Sequence, residues 1–111
     1  MAKVSVPLRF LRAARADFDE AYDFYERQAS GLGERFADHV QFVLDRIAAN
    51  PRLHAVVLKN VRKAVVAKFP YCVYYREEAN CIRILSVFHA SRDPAIWKRR
   101  MANGTDVSGE S

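Results

Sequence analysis

The chain has 111 residues, half of them hydrophobic, and a net charge of +5. That is the size of one domain with one modest core, and no apolar run approaches the roughly 18 residues of a membrane helix. The opening MAKVSVPLRF lacks the layout of a signal peptide, which predicts a cytoplasmic protein.

Taken in order, Ser5–Leu11 alternates apolar and polar residues and reads as a first strand, with Pro7 near its start. Arg12–Ala16 reads as a connection. Asp17, Asp19 and Glu20 then suit the positive N-terminal end of a helix. Phe18, Ala21, Tyr22, Tyr25 and Ala29 recur at spacings of three and four and form one apolar stripe. Asp17, Asp19, Glu20, Asp23 and Glu26 read as its solvated face. Ser30-Gly31-Leu32-Gly33 breaks the helix, and Leu32, Phe36, Val40, Val43, Leu44 and Ile47 mark a second one, ended by Asn50-Pro51. So short a link predicts an antiparallel helical hairpin.

The second half reads as β structure. His54–Leu58 and Val61–Phe69 are short strand candidates. Tyr71–Arg76, the polar turn Glu77-Glu78-Ala79-Asn80 and Cys81–Phe88 read as a β-hairpin. Pairing Arg76 with Cys81 puts Tyr71, Val73, Tyr75, Ile82 and Ile84 on a face that packs on helices. Cys72, Tyr74, Arg76, Arg83 and Leu85 fall on the other, partly open face. Cys72 does not oppose Cys81, and the two cysteines fit no metal spacing, so both are expected reduced. Asp93 and Pro94 suit the start of a short helix over Pro94–Met101. Residues 1–102 therefore form one domain, and residues 103–111 read as a disordered tail. The fold class is α+β in two layers, a helical hairpin on an antiparallel sheet in the order β-α-α-β-β-β.

Charge is uneven. Met1–Asn50 holds 7 basic and 8 acidic residues, whereas Pro51–Arg100 holds 11 basic and 3 acidic. The cationic half suits nucleic acid or an acidic protein segment. No phosphate loop, zinc signature or nucleophile elbow is present, and no cofactor or metal is expected. His39 and His54 read as ordinary surface or capping residues. His89 ends a strand beside Arg92, and a histidine with arginines could cleave RNA by acid–base and phosphate chemistry.

The ordered set Ala16-Asp17-Phe18, Tyr22, Tyr25, Gly31-Leu32-Gly33-Glu34-Arg35-Phe36, Ile47, Asn50-Pro51, Val61-Arg62-Lys63, Phe69-Pro70-Tyr71, Val73-Tyr74-Tyr75, His89, Arg92, Pro94 and Trp97 resembles the RelE/ParE toxin superfamily. It is most similar to the ParE-like, plasmid-stabilisation branch of type II toxin–antitoxin pairs. The resemblance implies growth inhibition through DNA gyrase, a cognate antitoxin as partner, and a toxin–antitoxin hetero-oligomer without membrane attachment. Residues implied at the antitoxin or target are Tyr74, Leu85, Arg92, Trp97, Lys98, Arg99 and Arg100. The alternative it implies is a RelE-type, ribosome-dependent mRNA endoribonuclease using His89, Arg92, Arg62 and Arg83. This chain has Cys72 where that branch usually carries an arginine, and Trp97-Lys98 where it often uses a tyrosine. A third possibility is a degenerate toxin that retains only antitoxin binding.

Overall fold

A computed structural model describes residues 6–102; the tail at residues 103–111 lies outside them. The elements run β1 (Leu8–Phe10), α1 (Arg12–Gln28), α2 (Leu32–Ala49), β2 (Val56–Leu58), β3 (Val61–Val65), β4 (Tyr71–Glu77), β5 (Ile82–His89) and α3 (Ala95–Ala102). The α+β class and the helical hairpin hold, with four strands after the helices. The sheet order is β1-β5-β4-β3-β2, antiparallel except where β1 lies parallel to β5.

α1 begins five residues earlier than the acidic cluster suggests. Leu11 donates its N–H to Ile84 at 3.0 Å, and the helix starts at once with Arg12-Ala13-Ala14-Arg15-Ala16, all strong helix formers. Asp17 therefore sits in the second turn, on the face it shares with the buried Ala14 and Ala21. The link to α2 turns on Gly31, whose φ of 88° favours a residue without Cβ. The Glu26 carboxylate accepts the Gly31 and Gly33 N–H groups at 2.9 Å each, capping α2 from the neighbouring helix. A Cβ on Gly33 would meet the Tyr22 carbonyl at 2.9 Å, so glycine there sets how closely the helices approach.

Phe36 stacks with Phe18, lies tilted against Tyr25 and meets Phe69 and Tyr71 edge-on, joining both helices to the sheet. Tyr75, Val73, Ile84 and Val87 complete the layer between helices and strands, all buried. Burying such side chains supplies most of the stabilisation of a domain this size.

The expected hairpin pairing is corrected. Arg76 opposes Arg83, not Cys81, and Cys81 belongs to the turn, where its carbonyl accepts the Glu78 N–H at 2.8 Å. A shift of two residues leaves each side chain on its expected face. A bulge at Leu85 then adds one more step, so Tyr74 opposes Ser86 and Cys72 opposes Phe88. The second face is not open at Cys72 or Leu85, both buried. Both cysteines are free thiols, as expected.

Candidate functional site

The chain leaves β5 in a tight turn that ends in α3. The Ala90 N–H still bonds the Pro70 carbonyl at 2.8 Å, and the His89 carbonyl accepts the Arg92 N–H at 3.1 Å. Asp93 Oδ1 accepts the Ala95 N–H at 2.9 Å, capping α3 as its sequence predicts. His89 Nδ1 accepts the Ser91 N–H at 3.0 Å. A backbone N–H can only donate, so in the neutral ring Nδ1 carries the lone pair and Nε2 the proton. The ring meets Tyr71 edge-on, with centroids 5.1 Å apart. Arg92 lays its guanidinium over Phe88, 5.2 Å from the ring centre. Arg92, Lys98 and Arg99 are exposed, and none is bonded to a carboxylate among the described residues.

The other arginines singled out in the sequence are elsewhere and engaged. Arg62 pairs with Tyr75, on the helix-facing side, and donates to the His54 carbonyl at 2.7 Å. Arg83 and Arg76 flank Glu78 at the hairpin turn, with contacts of 3.2 and 3.0 Å. Burial pushes the Glu78 carboxyl up, but hydrogen bonds and charge from these two arginines bring it net below its ordinary value. His89 stands six residues along β5 from Arg83, roughly 20 Å at strand rise. Thus His89 and Arg92 share one turn, while Arg62 and Arg83 do not join them.

Of the expected contact residues, Tyr74 is half-buried beside Phe88, Leu85 is buried, and Trp97 lies in α3 with Lys98 and Arg99. Arg100 turns inward. Its two terminal nitrogens bond the Asp17 carboxylate at 2.7 and 3.2 Å, and Nη1 also reaches the Leu85 carbonyl at 3.0 Å. Asp17 Oδ2 further accepts from Ser86 Oγ and the Val87 N–H, each at 3.2 Å. Sequence reading assigned Asp17 to a solvated helix face. The available signal was its spacing from Ala14 and Ala21, which sets a carboxylate inside an apolar stripe.

Between α1 and α2 runs a groove of about 260 Å³, lined by Phe10, Phe18, Val40 and Leu44 with Arg15 and Gln41 at polar positions. Burial pushes the Cys72 and Cys81 thiols up, the wrong direction for a nucleophile. Among the described residues no group of three His, Cys, Asp or Glu side chains could hold a metal ion, and no helix is long and apolar enough to cross a membrane.

The molecule is thus a small two-layer domain whose helical hairpin packs on an open sheet and whose last strand ends in exposed cations. The family model for the ParE toxin of the type II toxin–antitoxin system, parDE, matches residues 8–94, and the chain belongs to that family. A solved structure of the chromosomal ParDE TA system from P. aeruginosa shares the fold at a TM-score of 0.60. Its identity is 20%, covering 78% of this chain and 98% of that one. No curated protein matches the chain.

Proposed function

We propose that this ParE-family chain is a growth-inhibiting toxin that acts by binding DNA gyrase and is neutralised in the cytoplasm by an acidic, amphipathic antitoxin segment. The observation that carries this reading is the dispersal of the groups an RNA-cutting site would gather. Arg62 is spent on backbone carbonyls and Arg83 on Glu78, while Arg92, Lys98 and Arg99 face solvent as an unspent cationic surface. Such a surface steers an acidic partner, and apolar anchors supply the affinity. The groove between α1 and α2 offers a place for those anchors. The test is supercoiling by purified gyrase. Inhibition at micromolar toxin, relieved by antitoxin, is expected; toxicity in cells without such inhibition rejects the gyrase target.

A ribosome-dependent endoribonuclease is the second reading, favoured by His89 and Arg92 sharing one turn. Toeprinting of translated messages separates the two, because codon-specific cuts lost in both His89→Ala and Arg92→Ala belong only to the nuclease.

A further inference from the structure

The family match ends at Pro94, and α3 begins one residue later. Of the groups that tie α3 to the fold, Arg100 therefore lies outside the matched residues, while Asp17 and β5 lie within them. β1 pairs with β5 only as far as Phe10 opposite Ile84. Beyond that point no strand among the described residues lies on this side of β5, since β1 is the end of the sheet. A bare strand edge leaves backbone groups without partners. Here two side chains take the missing strand's part. Asp17 accepts the Val87 N–H, Arg100 donates to the Leu85 carbonyl, and the two close on one another through a two-pronged ion pair. The pair is largely buried, with 10% of the Asp17 side chain and 19% of the Arg100 side chain exposed.

We propose that Asp17 and Arg100 are positioning residues for the cationic end. They replace the missing strand along β5, lock α3 to the sheet, and fix where exposed Lys98 and Arg99 stand relative to Arg92 when an acidic segment docks. This rests on the proposed reading that the cationic end receives such a segment. Arg100 follows Lys98 and Arg99 directly, and a planar guanidinium held at two nitrogens and bonded to a strand carbonyl fixes the helix's rotation as well as its distance. A lysine offers the charge without that geometry.

The test uses the full chain, with Asp17→Asn and Arg100→Lys measured against a poly-glutamate peptide at low salt. Asp17→Asn adds one net positive charge, so simple attraction predicts tighter binding. Positioning predicts the opposite sign, about threefold weaker binding, with Val87 amide exchange about tenfold faster. Arg100→Lys keeps the charge and weakens binding in the same way; it carries the test alone if Asp17→Asn fails to fold. Unchanged Val87 exchange in either variant overturns the lock. Faster exchange with unchanged or tighter binding overturns the positioning role. Lys98→Glu with Arg99→Glu in the otherwise native chain checks the underlying reading separately. If that change leaves peptide binding intact, the cationic end is not the receptor and the positioning role falls with it, while Val87 exchange still reports the lock.

Discussion

The two ends of β5 both gather arginines, and they use them differently. At the turn end, Arg76 and Arg83 close on Glu78, and a carboxylate supplied by the chain absorbs the charge. At the far end, among the described residues, only Arg100 finds such a partner, in Asp17 from the distant α1. Arg92, Lys98 and Arg99 remain on the surface. A count of cations along the sequence therefore overstates the binding surface. What matters is whether the fold brings a carboxylate to each one, and three cations past the end of β5 lack one among the described residues.

The largest effect expected from breaking this contrast is at Asp17. Asp17→Ala leaves Arg100, the Val87 N–H and the Ser86 hydroxyl without their partner. Because the pair is largely buried, the loss should be about 3 kcal/mol, read as a fall in urea midpoint. Glu78→Ala removes a carboxylate that is 28% exposed, against 10% for Asp17, so solvent screens it more and a smaller loss of about 1 kcal/mol is expected. The same carboxylate gives a pH signature. Glu78 titrates below its ordinary value in the fold, so its contribution is present above about 4.5 and lost as pH falls through the lowered value. Glu78→Gln should flatten the acid limb of the stability curve.

A smaller effect is expected at His54. Burial first, then the Arg46 and Arg62 charges, lower its pKa. Tyr75 donates its hydroxyl to the Pro51 carbonyl at 2.7 Å, so the 3.2 Å contact with His54 Nδ1 is a bond that the imidazole donates. A base that is harder to protonate when folded stabilises fully above 6.5, and that stability declines as pH falls from there to the lowered value. His54→Gln should remove the decline in thermal melts.

These contrasts also show what the sequence could and could not carry. The apolar stripe of Phe18, Ala21 and Tyr25 and the β-branched run around Tyr75 were enough to place the helical hairpin over the sheet, because burial enforces periodicity. Pairing in the hairpin was not legible. Period two cannot distinguish a shift of two residues, and the bulge at Leu85 answers to Asp17 and Arg100, far away in sequence. The start of α1 was missed because the charge of Asp17 imitates a first turn, while Arg12–Ala16 carries helix propensity without a stripe. At the candidate site, His89 with Arg92 was legible as a local cluster. The engagement of Arg62, Arg83 and Arg100 was not, since each partner lies on another element or across the turn.

The most direct measurement compares the two ends of β5 in one experiment: the association rate of toxin with antitoxin as a function of salt. Replacing Arg92, Lys98 and Arg99 with Gln should change stability by no more than about 0.5 kcal/mol per site. It should slow association about tenfold and flatten its salt dependence. Replacing Arg76 and Arg83 with Gln should leave the rate and its salt dependence near those of the native chain. Equal slowing at both ends, or slowing at the turn end alone, would contradict the claim that the unspent cations beyond β5 form the recognition surface.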